Sequence, residues 1–303
     1  MRVSVTDLCN LRCRYCMPAE GVLKKQHSAM MTEEETVLAI EAAAELGIKK
    51  IRVTGGEPLV KKNILSLCRR AAAVHGIDEV TLTTNGLLLP ELALPLHDAG
   101  IRRLNISLDT LDPRKYAYIT RGGALDDALH GVEAARSAGF RVKINVVLIG
   151  GFNDDEITQL AGLSWDWDVD VRFIELMPMP DTGDFCQEAF MTAGEAIKLL
   201  PGLEPLPGDG VARMYRFRGA PGRVGFISPM SDAFCSRCNR IRLTADGCLK
   251  PCLHSALELP IKGMDKSKMK EAIRQTVLAK PERHTLRSSM GSNAGRSMNR
   301  IGG

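Results

Sequence analysis

Over its first 180 residues this chain alternates short runs rich in Val, Ile, Leu and Thr with longer helical stretches, and no other feature restricts its fold as much. Six such runs, at 2–6, 50–54, 79–84, 103–108, 141–148 and 170–177, have the composition of buried parallel strands. Parallel neighbours need a crossover between them, usually a helix. Thr32, with Glu35 three residues on, predicts the start of one such helix, and Gly47 its end. Further helices fit 61–74, 90–99, 126–138 and 155–163. A barrel and a doubly wound sheet share this rhythm, which leans towards the barrel. Six strands would leave a barrel incomplete, with an open side for something else to cover.

From about residue 180 the texture changes: prolines at 178, 180, 201, 205 and 207 break the pattern, and a second module, residues 181–303, is expected to follow a first unit of 1–180. Within it, 214–218 and 223–227 read as a β pair, 240–244 as a strand and 266–278 as a helix. The Ser-, Gly-, Asn- and Arg-rich end, 288–303, should be mobile unless a site captures it. A chain of 303 residues, 45% of them hydrophobic, can bury a large core. Its 40 basic and 36 acidic residues are too balanced to argue for nucleic acid or an anionic membrane as partner. No apolar run reaches the ~18 residues that suggest a membrane span, so a cytoplasmic location is expected. Nine cysteines, an odd number in two tight groups and three stragglers, suit metal-binding thiolates in a reducing compartment better than a disulfide scaffold.

Cys9, Cys13 and Cys16 form CxxxCxxC directly after the first strand, at the mouth where barrel sites lie. Three thiolates can hold three irons of a 4Fe-4S cube and leave the fourth open to a cofactor. A zinc knuckle lacking one ligand is the plainer alternative, disfavoured because closed zinc sites take four. Gly55-Gly56-Glu57-Pro58 follows the second strand; glycines allow close backbone approach, and a carboxylate or carbonyl there can receive an ammonium group. In the second half, Cys235, Cys238 and Cys252 lie within FCSRCNRIRLTADGCLKPC, where a hairpin turning at Asp246-Gly247 would bring Cys252 back beside the first two. Three ligands and a second 4Fe-4S cluster are favoured over a four-thiolate zinc site that adds Cys248. Arg240 and Arg242, two apart on the expected strand, would share a face and suit phosphate oxygens. Cys68 and Cys186 read as small packing residues, and no histidine is nominated.

The CxxxCxxC spacing, the aromatic Tyr15 and the GGEP tetrapeptide together resemble the radical S-adenosylmethionine (SAM) superfamily. CxxCxRxR, a cysteine thirteen residues beyond CxxC, and the terminal Gly302-Gly303 narrow the resemblance to the GTP 3',8-cyclase family, which acts in the first step of molybdenum cofactor biosynthesis. The likeness runs through nearly the whole chain, in VSVTDLCNLRCRYCMP, IRVTGGEPL, LTTNGLLL, NISLDTL and RFIELMP.

This resemblance implies an incomplete (β/α)6 TIM-type barrel whose open side is covered by the C-terminal module, with a 4Fe-4S cluster on Cys9, Cys13 and Cys16 and a second on Cys235, Cys238 and Cys252. It implies SAM contacts at Tyr15, Gly56, Glu57, Ser107 and Met177, and GTP contacts at Arg2, Arg52, Thr83, Lys143, Arg172, Arg240 and Arg242. Gly302 and Gly303 would join Arg240 and Arg242 in the catalytic set, the tail reaching into the active site. The reaction implied is abstraction of a ribose hydrogen by an adenosyl radical, then closure of C3' onto C8 of guanine. A low-potential electron donor, a downstream cyclic pyranopterin monophosphate synthase and a possible homodimer would be the partners. The chain begins one residue before Arg2, where that family usually has a longer lead-in, which leaves the packing of the barrel's first edge open. The alternatives are a peptide-modifying radical enzyme with an auxiliary cluster and a non-catalytic zinc protein.

Overall fold

Apolar residues on one face of each strand and polar residues on the other dictate a sheet that packs against helices outside and encloses a polar interior. The computed structural model describes residues 1–179, 189–208, 210–284, 286 and 292–302. The strands β1 (Arg2–Ser4), β2 (Lys50–Thr54), β3 (Glu79–Thr84), β4 (Arg103–Ser107), β5 (Arg141–Leu148) and β6 (Asp170–Glu175) lie side by side in chain order, all parallel. They are the six expected from composition, with the ends of the first, fourth and sixth drawn in by one or two residues. Between them run α1 (Glu33–Glu45), α2 (Ile64–Ala72), α3 (Leu89–Asp98), α4 (Pro113–Thr120), α5 (Leu125–Ser137) and α6 (Ile157–Asp166). Thr32 and Glu35 close the expected capping box on α1. The helix α4 was not expected; Asp112 caps it through the Arg114 and Lys115 amides, and Pro113 takes the first turn, where its missing N–H costs nothing.

Strand residues that point outward, such as Val3, Val53, Leu82, Leu104, Ile144 and Phe173, are fully buried beneath the helices in the main apolar core. The later strands are β7 (Leu203–Leu206), β8 (Arg213–Phe217), β9 (Val224–Ile227), β10 (Arg242–Leu243), β11 (Cys248–Lys250) and β12 (Leu259–Pro260). They join the same sheet at both ends, β10 parallel to β1 and β9 parallel to β6, giving the order β12-β11-β10-β1-β2-β3-β4-β5-β6-β9-β8-β7. The six-stranded arc is therefore an incomplete barrel extended on both sides by the C-terminal module. The first edge is covered: Arg2 donates its amide to the Ile241 carbonyl at 3.0 Å.

Candidate active site

The first cysteine loop leaves the C-terminal end of β1 and is pinned from three directions. Arg12 and Arg14 donate their amides to the Thr120 and Ile119 carbonyls at 3.0 and 2.9 Å, and the Arg121 guanidinium holds the carbonyls of Arg12 and Met17. The amides of Gly56 and Glu57 reach the carbonyls of Thr6 and Leu8, both at 2.8 Å. A Cβ on Gly56 would stand 2.4 Å from the Leu8 carbonyl oxygen, so this glycine lets the GGEP turn lie against the cysteine loop. Cys9, Cys13 and Cys16 are half-buried thiols outside any disulfide. Burial pushes Cys9 and Cys13 up, which leaves the bare thiols neutral and favours a cation to charge them. The Leu11 amide at 3.3 Å and the Asn85 side-chain amide at 3.9 Å point at the Cys9 sulfur, the donors a ligating thiolate uses. Among the described residues no three His, Cys, Asp or Glu side chains close around one point as a single ion requires, whereas the corners of an iron-sulfur cube hold their thiolates farther apart.

Of the residues expected to meet SAM, Tyr15 lies in this loop and Gly56 and Glu57 bond to its backbone. Tyr15 donates its hydroxyl to Asp109 Oδ2 at 2.6 Å, and Asp109 Oδ1 accepts the Val147 amide at 2.8 Å. Burial raises Asp109 to about 6 against those two hydrogen bonds. The Glu57 carboxylate faces into the fold: it accepts from Thr84 Oγ1 at 2.8 Å, the Asn85 amide at 2.7 Å and the Leu59 amide at 3.0 Å, and burial lifts it to about 7. Its visible task is to tie the GGEP turn to the end of β3. Ser107 ends β4 opposite Asn145, half-buried, and Met177 lies two residues beyond β6.

The inner face of the arc is cationic. Strand register sets Arg242, Arg2, Arg52, Thr81 and Arg103 side by side across five neighbouring strands. A second row holds Thr83, Asn105, Lys143 and Asp170, and a third holds Ser107, Asn145 and Arg172. Burial, then the facing guanidiniums of Arg242, Arg240 and Arg52, lowers the pKa of Arg2. Burial and the charges of Arg240, Arg172, Arg103 and Arg242 bring Arg52 down to about 9. Asp170 lies 3.2 Å from Lys143, and Glu79 lies 2.5 Å from Arg103. The Nε atoms of Arg103 and Arg172 and the hydroxyl of Thr83 are buried with no hydrogen-bond partner among the described residues. Like charges this close, and donors left unmade, are costly unless an anion meets them. Arg103 is absent from the sequence-based set; its place beside Arg52 depends on register between strands, which no single strand displays.

Cys235 opens a short helical turn, Cys235–Arg237, that Cys238 closes by donating its amide to the Cys235 carbonyl, and the β10–β11 hairpin carries the chain on to Cys252. Lys280 joins these arms: its ammonium reaches Cys238 Sγ at 3.7 Å, the Arg240 carbonyl at 2.8 Å and the Pro251 carbonyl at 3.1 Å. The His284 amide points at Cys235 Sγ at 3.5 Å. Neither Lys280 nor His284 was singled out from the sequence, because both lie far beyond the motif. Arg240 falls just outside the strand once expected at 240–244, since its carbonyl bonds to Lys280 while β10 pairs only at Arg242–Leu243. Cys248 is met instead by Arg296 Nη2 at 3.6 Å. Cys68 lies buried in α2, its thiol pushed up to about 12 by burial, and Cys186 falls outside the described residues. The two cysteine groups thus flank adjacent strands, β1 and β10, with the arginine row beginning between them.

A model of the radical SAM superfamily matches residues 3–163, and one of the molybdenum cofactor synthesis C-terminal region matches 169–286. GTP 3',8-cyclase of Alkaliphilus metalliredigens is 46% identical over all of this chain and 97% of its own length. That of Peptoclostridium acidaminophilum is 49% identical over all of this chain and 95% of its length. The chain belongs to the GTP 3',8-cyclase family. Membership in the radical SAM superfamily brings a 4Fe-4S cluster and SAM binding with it. The fold has a solved counterpart in Streptococcus suis SuiB bound to SAM, with a TM-score of 0.62 at 14% identity, covering 87% of this chain and 61% of that one.

In this cyclase-family chain the tail is seated. Residues 292–302 return to the barrel, where Asn299 and Ile301 are buried and Arg242 donates to the Gly302 carbonyl. Gly302 has φ +84°, and a Cβ there would lie 2.7 Å from Thr54 Cγ2, so both conformation and space call for glycine. Gly303 lies outside the described residues. No helix among the described residues is long and apolar enough to cross a membrane.

Proposed function

We propose that this chain converts GTP to (8S)-3',8-cyclo-7,8-dihydroguanosine 5'-triphosphate, the first step of molybdenum cofactor biosynthesis, using two 4Fe-4S clusters. Cys9, Cys13 and Cys16 would hold the first, with SAM against Tyr15, the GGEP turn, Ser107 and Met177. Cys235, Cys238 and Cys252 would hold the second. Residues 1–180 would form the radical unit and 181–303 the module that carries the second cluster. When bound, the first cluster and SAM supply a carbon radical able to take hydrogen from the substrate ribose.

The observation that carries this reading is the row Arg242, Arg2, Arg52 and, beyond Thr81, Arg103 across five neighbouring strands, joined by Lys143, Arg172 and Arg240. A triphosphate meets that charge: guanidiniums grip phosphate oxygens two at a time, and a polyanion relieves their mutual repulsion. With the triphosphate held there and the base held towards the second cysteine group, the ribose is fixed at two points, which turns an encounter into a positioned step. The seated tail would exclude water from the same space. A low-potential electron donor belongs to this reading.

Anaerobic incubation of the reconstituted protein with SAM, a reductant and GTP, followed by product analysis, tests it. Cyclised nucleotide and about one adenosyl cleavage per product are expected; intact clusters without GTP-dependent product would reject it.

A further inference from the structure

Asp246 reads from sequence as a turn residue, yet it is the meeting point of three segments distant in the chain. Its carboxylate takes Lys25 at 2.6 Å, from the loop that follows the first cysteines, and both of its oxygens take Arg296 Nη1 at 2.8 Å, from the tail. Arg296 spans to a second carboxylate, Glu258, through Nε at 2.7 Å and Nη2 at 2.5 Å. Glu258 in turn receives Lys250 at 2.8 Å, and the same buried ammonium reaches the Ala294 carbonyl at 3.2 Å. Burial works to raise Asp246, but the hydrogen bonds from Lys25, Thr244 and Arg296 outweigh it and hold its carboxyl well below the usual range.

Beyond this knot the tail has little of its own. Its helix, Met298–Ile301, has four residues, far short of the length at which a helix persists alone. Among the described residues its apolar support is the small cluster of Met179, Ala294 and Ile301, with Leu253 and Met298 packed against it. Yet it makes contacts inside the barrel, Asn299 to the Asp7 carbonyl at 2.9 Å and Gly302 against Ser4, Thr54 and Arg242.

We propose that Arg296 is a positioning residue: through Asp246 and Glu258 it clamps the C-terminal strap, and the strap holds Arg242 in place on the inner face. This rests on the cyclase reading only for the identity of the ligand that Arg242 meets. Lys25 makes the clamp sensitive to the first cysteine loop as well, so the strap is held from both cysteine-bearing segments.

Hydrogen exchange with mass spectrometry on the anaerobically reconstituted protein tests the clamp without turnover. In Arg296→Ala the C-terminal peptide should exchange at least about tenfold faster, while β1 to β6 keep their protection. Arg296→Lys should fall between, since it keeps the charge but not the two-sided grip. Glu258→Gln gives a second route to the same loosening, and Arg274→Ala, an exposed helix arginine, should change nothing in the tail. With GTP, Arg296→Ala should lower kcat more than it raises KM. Unchanged tail exchange in both Arg296→Ala and Glu258→Gln, or faster exchange spread evenly over the barrel, would overturn the clamp. If the wild type makes no product from GTP, the substrate reading fails while the exchange data still decide the clamp.

Discussion

Lys143 holds its charge in the barrel with difficulty. Burial, with Arg172 facing it, brings the ammonium down to about 8 even though Asp170 lies 3.2 Å away. A bound triphosphate would raise that value again, so binding takes up protons above pH 8, and affinity is full below about 8 and declines as pH rises through it. Nucleotide binding followed by calorimetry from pH 7 to 9.5 should show this decline, and Lys143→Arg should reduce it to the share left by Arg52, itself at about 9; a flat wild-type profile would remove Lys143 from the site. Lys143→Ala should weaken GTP binding about tenfold or more, the worth of one charge-assisted contact. Glu57 makes a different case. Oε1 accepts Leu59 N and Thr84 Oγ1 while Oε2 accepts Asn85 N, so in Glu57→Gln one of these sites becomes a donor facing a donor. That should cost about 1–3 kcal/mol in chemical unfolding and slacken the first cysteine loop, which the Glu57 amide holds. Unaltered stability together with full iron loading would show that the carboxylate is dispensable.

The β10–β11 hairpin places Cys252, and its turn depends on one glycine. Gly247 has φ +86°, and a Cβ there would stand 2.9 Å from the Lys262 Cβ. Gly247→Ala should cost about 1–2 kcal/mol from conformation alone, more with the clash, and, on the two-cluster proposal, should lower iron towards that of one cluster per chain. Iron and sulfide analysis after anaerobic purification reads this directly, and undiminished loading would mean that the hairpin does not govern the second group. At this scale the sequence was legible where the signal is local. CxxxCxxC, the Thr32-Glu35 capping box, the Asp246-Gly247 turn and the six strand runs each announce themselves within a few residues. What escaped was set by pairing between distant segments. Arg103 joins Arg52 through register across three strands, Lys280 reaches the second cysteine group from the end of the helix Lys266–Leu278, and Asp246 acts beyond its turn through Lys25 and Arg296. Arg240 was expected in a strand because alternation continues through it, but a lysine took the carbonyl that a ladder would use.

The strands of the described residues form a single twelve-stranded sheet, and the two sequence halves meet along both edges of the arc. Without the C-terminal module, β1 would lose β10 and β6 would lose β9, leaving unpaired backbone along two strands whose outward side chains, Val3, Val171 and Phe173, are apolar. Such edges pair with other chains unless something covers them. Phe173 on β6 stacks on Phe226 of β9 with ring centroids 5.4 Å apart, so separation would also open the apolar layer beneath the sheet. A fragment of residues 1–180 should therefore be largely insoluble, or soluble but without a cooperative unfolding transition, even though it contains the first cysteine group entire. The arginine row adds to this, since removing the module takes away Arg240 and Arg242 and opens the remaining cations to water while the tail that covers them is gone. Circular dichroism and sedimentation of the fragment, alone and mixed with residues 181–303, measure the effect. A monomeric fragment that unfolds cooperatively would mean that the six inner strands are self-sufficient, and that the module completes the site without completing the fold.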